Sequence, residues 1–507
     1  MTRSLVASFT ARAAAQPGAP ALIWEDRPVS YGDLYAMAAR ARTQVEEASP
    51  DADRPVGLLV RKSPEAVALV LGCLMAGRSF LLPSHELPEA PLKALFQQTG
   101  CAVVLGLADT PPVDRVVDTA GAAMGCEEYP PAAAVDDEAV TFMLTTSGST
   151  GLPKVVPLSS GAVGRFTEWA ADTFGIATGV AVLNYAPLNF DLCMLDVWTT
   201  LAYGGTVVLV DPGRGASAGY LRDLVADHAV SVVQGVPMLF QLLAEATAES
   251  GSLDTPEHVI FAGDSMPARV LAGVSTTFSK ARWYNNYGCT ETNNSFLHEV
   301  DQDGPLRTPL PIGRPLAGVR WLIIGQDGRA LTGPGQGELL VNTPFQSAGY
   351  VNTSNAKTFA PHPDGAPGLV YYRTGDVVTL HEDGALSVIG RTDYLVKVRG
   401  FQVSTQSVEQ ILLDHPAVAE AAVIALPDPV AGHRLHARLR LTDAGSVNSL
   451  SLRLHCSERT VRAAIPSVIE MVTDPLPRTS TGKVDRNRVK ASVLAAEEER
   501  ARTPPRP

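Results

Sequence analysis

The sequence predicts an α/β protein: a large N-terminal domain of layered parallel sheets with helices plus a small β subdomain, followed by a small α+β C-terminal domain. Three observations predict it. Short apolar β runs alternate with helical stretches through the first part of the chain, the pattern of buried parallel strands with helices between them. Around Thr308–Gly349 turn signals such as IGRPLAG and GQDGRALTGPGQG break the chain into short β runs, which suits a small β subdomain. After Arg391 a compact helix–strand–strand–helix pattern begins. At 507 residues the chain exceeds what one hydrophobic core fills, so at least two domains are expected.

Taken in order, the first eighteen residues read as an amphipathic helix. Pro55–Val60, Ser79–Leu82 and Cys101–Leu105 read as strands, with a helix near Pro64–Met75. Ala181–Tyr185, Thr206–Val210, Val230–Gln234 and His258–Phe261 are further strands between helical stretches. Arg320–Ile324 and Gly337–Val341 belong to the β subdomain. Ala360–Gly368 is a Pro/Gly loop, and His381–Gly384 with Leu386–Ile389 is a hairpin. Beyond it come a helix at Ser407–Leu413, strands at Glu420–Leu426 and Leu435–Leu441, and a helix near Ser449–Ala464. The domains run 1–391 and 392–495, and residues 496–507 are expected to be a disordered, charged tail.

The net charge of −12 argues against nucleic-acid binding. No run of about 18 apolar residues and no secretory signal occurs, so no membrane association and a cytoplasmic location are expected. Six scattered cysteines without metal-ligand spacing fit free thiols. Between Arg391 and Lys490 basic residues outnumber acidic ones, against the trend of the chain.

Five segments carry chemistry. Thr145–Lys154 (TTSGSTGLPK) follows an apolar strand; small residues let backbone N–H groups converge on an anion, and hydroxyls and a lysine add donors and charge. Its spacing is not that of a Walker A loop. Asn285–Glu291 (NNYGCTE) sets an aromatic face beside a glycine, a hydroxyl and a carboxylate suited to Mg²⁺. Tyr372–Asp376 (YRTGD) puts a carboxylate, with two acceptor oxygens, after a glycine turn. Gly390–Gly400 (GRTDYLVKVRG) and Pro477–Arg486 (PRTSTGKVDR) complete the set. Singly, each also fits an ordinary turn or surface loop.

In order and approximate spacing the five together resemble the acyl-adenylate-forming superfamily, which comprises acyl-CoA synthetases, firefly-type luciferases and the adenylation domains of peptide synthetases. Val29–Leu34 and Leu74–Pro83 look like that family's two early structural motifs. The resemblance implies a mobile C-terminal domain and the substrate ATP with Mg²⁺. It implies that Thr146, Ser147, Gly148, Ser149, Thr150, Gly151 and Lys154 cradle the β and γ phosphates. Tyr287, between Asn286 and Gly288, would stack on adenine beside Gly263, Asp264 and Ser265, while Asp376 and Arg391 bind ribose. Thr290 would touch the α-phosphate, Glu291 hold Mg²⁺, and Lys483 stabilise the pentavalent α-phosphate. Asp393 would be the hinge, and Lys397, Arg399 and Gly400 would line a tunnel for a phosphopantetheine thiol.

Asn189–Trp198 (NFDLCMLDVW) resembles the segment whose aspartate pairs with the ammonium of an amino-acid substrate, a place Asp191 takes. The same aspartate also suits a helix N-cap. The resemblance carries the substrate pocket to Asp191, Leu192, Leu195, Gln234, Ile260, Ala262, Asn286, Asn294 and Ser295. This set has no aromatic wall and implies a small or polar amino acid, α or β. Three departures from the family pattern stand out: Cys289 in place of a proline, Gln402–Glu409 (QVSTQSVE) with two acidic residues and a glycine missing, and Gln346–Asn352 without an arginine before its Gly-Tyr pair. Only a short tail follows Lys483, so the expected partner is an acidic acyl or peptidyl carrier protein acting in trans, suited to the local basic excess. An acyl-CoA synthetase for an unaminated acid, with Asp191 as a cap, and a non-catalytic nucleotide-binding scaffold are the alternatives. Intact Lys483, Glu291 and Asp376 oppose the scaffold.

Overall fold

In the computed structural model, residues 4–108, 113–119, 129–130, 135–146, 152–248, 250–361, 369–398, 401–428, 432–443, 447–479 and 483–502 are described. The fold is α/β. A nine-stranded sheet runs in the order 314–315, 293–299, 282–289, 258–262, 232–235, 181–184, 206–209, 20–24, 27–30. Its six inner strands, from Arg282–Cys289 across to Pro20–Trp24, are parallel, and antiparallel hairpins close both edges. The central strands are short and mostly buried, as in Val232–Gly235, and parallel neighbours need a crossover to return the chain to the same sheet edge.

A six-stranded sheet, parallel but for its last hairpin, packs against the nine-stranded one through a shared core that includes Phe80, Phe142, Trp198, Ile260 and Tyr284. Helix Pro64–Met75 shows how sequence sets these elements. Ser63 Oγ accepts from Ala66 N at 3.2 Å and Pro64 takes the first turn, the start signals of a helix. Its ten residues Pro64, Ala66–Leu74 are buried, which a helix apolar all round requires. The β subdomain is a five-stranded antiparallel sheet built on Val370–Leu380, with Leu386–Arg391 as the hairpin partner.

The C-terminal unit has its own sheet, five strands in which only Val468–Val472 pairs parallel. Val408, Leu412, Val423, Leu439, Leu452 and Ile469 form its core. Glu409, buried on helix Thr405–Leu413, accepts hydrogen bonds from Arg486 and from Val423 N. The ion pair joins this helix to the start of helix Arg486–Arg502, and the Val423 bond ties it to the sheet.

Two elements differ from expectation. The helix expected near Ser449–Ala464 ends at Ser457, because Val461, the second of two β-branched residues in a row, takes an extended backbone (φ −67°, ψ 149°) before a short 3₁₀ turn at Arg462–Ala464. The chain beyond 495, expected to lack order, continues as helix Arg486–Arg502, where Arg434 holds Glu497 at 2.6 and 2.7 Å. Residues 503–507 lie outside the described set. None of the five described cysteines is paired, and no helix among the described residues is long and apolar enough to cross a membrane.

Candidate active site

Strand Arg282–Cys289 carries two sets of residues on its two faces. Its register pairs Ala262 with Asn286 and Ile260 with Tyr284, and the next strand pairs Gln234 with Ile260. Paired residues share a face and alternate residues return to it. Gln234, Ile260, Ala262 and Asn286 therefore line one face of the sheet, towards Leu195. Tyr287 points to the other. At Gly288 the antiparallel pairing bulges. A Cβ there would lie 2.2 Å from the Asn293 carbonyl oxygen, which is why this turn carries glycine.

On the Tyr287 side the phenol donates to Asp376 Oδ2 at 2.5 Å. Arg391 Nη1 donates to Asp376 Oδ1 at 2.7 Å and to the Thr374 carbonyl at 3.1 Å. Gly375 makes the turn with φ +72°, and a Cβ there would lie 2.9 Å from Arg391 Nη2. Burial raises the Asp376 pKa and Arg391 opposes it. Burial, then the charge of Asp376, holds the Tyr287 phenol well above its ordinary value. Arg391 Nη2 also reaches Asp393 Oδ2 at 3.3 Å, so the expected hinge residue touches this cluster.

On the other side Asp191 Oδ2 accepts from Thr290 Oγ1 at 2.8 Å. Asp191 is not a helix cap: the π-helical segment Met194–Thr199 begins three residues later and has no side-chain cap. Burial raises the Asp191 pKa, with the Thr290 bond and the charge of Lys483 opposing it. Lys483, whose carbonyl accepts from Thr479 N at 2.8 Å, reaches towards the recess, where a Cβ at Gly263 would meet its Cε at 3.9 Å. Its charge also reaches Asp376.

Thr146 and Lys154, at either end of the phosphate-loop sequence, pair antiparallel. Ser147, Gly148, Ser149, Thr150 and Gly151 lie outside the described residues, as do Arg399 and Gly400 of the expected tunnel; Lys397 sits in strand Leu395–Val398. Lys154 Nζ stands 4.8 Å over the Tyr350 ring, and the Tyr350 hydroxyl donates to Glu291 Oε1 at 2.7 Å. Glu291 is buried. No cluster of three or more His, Cys, Asp or Glu that could hold a metal occurs among the described residues. A single carboxylate still suits Mg²⁺, which keeps waters and takes its other ligands from phosphate. Asp264 and Ser265 follow the strand end, with Ser265 N bonded to Asp264 Oδ1 at 2.8 Å. Asn294 pairs with Gly288, and Ser295 is buried with Oγ 3.4 Å from Thr292 Oγ1.

Beneath the recess lies a polar cluster that sequence reasoning missed. Gln234 Nε2 donates to the Leu192 carbonyl at 3.1 Å and to Asp196 Oδ1 at 2.8 Å. Asn184 Nδ2 stands 3.4 Å from Asp196 Oδ2, and Lys62 Nζ donates to the carbonyls of Asn184, Tyr185 and Ala186. Asp196 is 0 % exposed. Burial raises its pKa well above the ordinary value and lowers that of Lys62 to about 8. The available signal was an aspartate inside the apolar run after Asp191. Tyr350 was likewise missed as the partner of Glu291.

The C-terminal unit is held against this face. Arg269 donates to the carbonyls of Val418, at 2.5 Å, and Ala419. Ser407 Oγ donates to the Ile389 carbonyl at 2.5 Å, so the atypical QVSTQSVE segment supplies a hydroxyl that clasps the strand leading into Asp393.

Known proteins match along this whole arrangement. The model of the AMP-binding enzyme family matches residues 9–351, and that of the AMP-binding enzyme C-terminal domain matches residues 407–483. An L-proline--[L-prolyl-carrier protein] ligase of Pseudomonas fluorescens is 32% identical, over 96% of this chain and 91% of its own. A D-alanine--D-alanyl carrier protein ligase of Bacillus anthracis is 27% identical, over 94% of this chain and 97% of its own. Among solved structures, an o-succinylbenzoate CoA synthetase of Bacillus subtilis superposes with a TM-score of 0.82 at 24% identity, covering 95% of this chain and 97% of that one. At that identity the last shares the fold.

Proposed function

The chain belongs to the AMP-binding enzyme family, and from that premise we propose that it activates a small amino acid with ATP and passes the aminoacyl group to the phosphopantetheine thiol of a separate carrier protein. Relatives named for proline and D-alanine carrier-protein ligation support this reading. The observation that carries it is the 2.8 Å bond between Asp191 and Thr290. It sets a carboxylate without a cationic hydrogen-bond partner among the described residues beside the segment assigned to the α-phosphate, where a substrate ammonium would complete it.

In the first half-reaction a carboxylate oxygen of the amino acid attacks the α-phosphorus, and the bond to the bridging oxygen breaks as pyrophosphate leaves. Lys483 stabilises the charge gathering on the α-phosphate, a fixed electrostatic contribution rather than a covalent one. Asp376 and Arg391 hold ribose, Tyr287 faces adenine, and Lys154 with the 146–151 loop holds the outer phosphates. Glu291 would hold Mg²⁺, which neutralises phosphate charge when bound. In the second half-reaction the C-terminal unit (392–495) turns at Asp393 relative to residues 1–391. The thiol, losing its proton, attacks the acyl carbon, and AMP leaves. Lys397–Gly400 then line the thiol's path. The basic excess of the C-terminal unit suits an acidic carrier.

The test is pyrophosphate release over proteinogenic amino acids, β-amino acids and unaminated fatty and aryl acids. An amino-acid-dependent signal, followed by transfer to a phosphopantetheinylated carrier and not to coenzyme A, is expected. Turnover of unaminated acids alone, with coenzyme A as acceptor, would replace this reading with an acyl-CoA synthetase.

A further inference from the structure

A buried polar atom without a partner is costly, so native proteins leave few of them, and a ligand is one thing that can complete such an atom. Asn286 is 5 % exposed, and neither its Nδ2 nor its Oδ1 has a hydrogen-bond partner among the described residues. Its register places it on the substrate face of the sheet, beside Ala262 and one strand from Ile260. Gln234, on the same face, is different. Its amide is already committed to the Leu192 carbonyl and to Asp196, so it closes the floor of the recess and offers its N–H groups to the wall rather than to a ligand.

Resting on the amino-acid activation proposed above, we infer that Asn286 reads the substrate's side chain, and that the substrate is an amino acid whose short side chain offers both a donor and an acceptor: a carboxamide first, a hydroxyl second. A carboxamide meets another carboxamide with two antiparallel hydrogen bonds and satisfies both orphaned atoms at once. A hydroxyl offers one donor hydrogen and its lone pairs on a single atom, so it serves both less well. A carboxylate sets a second oxygen against Oδ1, and an ammonium gives Nδ2 no acceptor. Small apolar side chains, such as those of the proline and alanine in the relatives' names, leave both atoms unpaired.

Pyrophosphate exchange with asparagine, serine, leucine, 2-aminobutyrate, alanine and proline tests this without any variant. Asparagine is expected to exceed its apolar counterpart leucine, and serine to exceed 2-aminobutyrate, by on the order of 10²-fold or more in kcat/KM, since a site built to hydrogen-bond rejects an analogue lacking the group. The nearly isosteric Asn286→Leu should reverse the asparagine–leucine order. Leucine or proline ranked above asparagine and serine by the wild type would overturn the inference while leaving amino-acid activation intact. So would an equal loss for every amino acid in Asn286→Leu, which would mean that Asn286 holds the common backbone or a water. Turnover of unaminated acids alone would sink the activation reading; a polar-over-apolar order among those acids would still support the role of Asn286, and the opposite order would overturn it.

Discussion

Asp376 and Asp191 both feel the charge of Lys483, and burial raises both pKa values, yet they are held in different ways. Asp376 is complete: Arg391 supplies a cation at 2.7 Å and Tyr287 a hydroxyl at 2.5 Å. Asp191 has the Thr290 hydroxyl at 2.8 Å and the backbone N–H of Leu192, and the opposing charge acting on it comes from Lys483. A carboxylate that already owns its cation works as a rigid acceptor, suited to neutral hydroxyls such as those of ribose. One that lacks a cation of its own works as a receptor for one. Under the function proposed above, the difference separates a side for the nucleotide from a side for a charged amine.

The largest effect should come from the group both carboxylates feel. Lys483→Ala is expected to lower amino-acid-dependent pyrophosphate exchange by roughly 10²–10³-fold or more, while thiol transfer from supplied aminoacyl-AMP persists. Equal loss of both steps would remove Lys483 from a purely adenylating role. Next, Asp191→Ala should weaken amino-acid binding by about 2–5 kcal/mol, because the substrate ammonium would lose its buried partner, and the KM for ATP should move far less. An unchanged KM for amino acids would make Asp191 a structural residue. Asp376→Asn should do the reverse, raising the KM for ATP by about 1.5–3 kcal/mol, the worth of hydrogen bonds to a charged group.

Acid should separate the two sides further. The ammonium needs Asp191 ionised, so the KM for amino acids should climb as pH falls, starting above the ordinary carboxylate range of about 3.9. Asp191→Asn should abolish that limb of the profile. The smallest effect is expected at Asp196. Its folded pKa lies above its unfolded one, so the folded state binds the proton more tightly and loses stability as pH rises from the ordinary value towards the raised one. Asp196→Asn, which removes this titration, should raise the unfolding free energy at neutral pH and flatten that dependence in a denaturant titration.

Much of this was legible in the sequence. The strands at 181–184, 206–209 and 258–262 fall within a residue or two of the runs read from apolar patterning, because a strand buried on both faces is mostly apolar. The motif residues Tyr287, Asp376, Arg391, Asp191, Thr290 and Lys483 come together because glycine turns and strand ends fix where each side chain can point. What the sequence left hidden depends on tertiary pairing. Asp196, Asn184 and Lys62 come from distant segments, and no periodicity announces that Gln234 will turn its amide to Asp196 instead of to a ligand. The helix beyond residue 495 escaped notice because its charged residues look solvated until Arg434, some sixty positions earlier, supplies a partner for Glu497.

The alternation along Arg282–Cys289 has a consequence for how this enzyme can change. Under the function proposed above, neighbouring residues 286 and 287 would answer to different molecules: one to the acid, its neighbour to the nucleotide. Substitution at 286 can retarget the catalyst while the fuel-binding machinery next door stays as it is. A one-residue deletion upstream in the same strand would swap the two duties and lose both. Along this strand, new specificities are reachable by exchange of single letters, and changes of length are closed to selection.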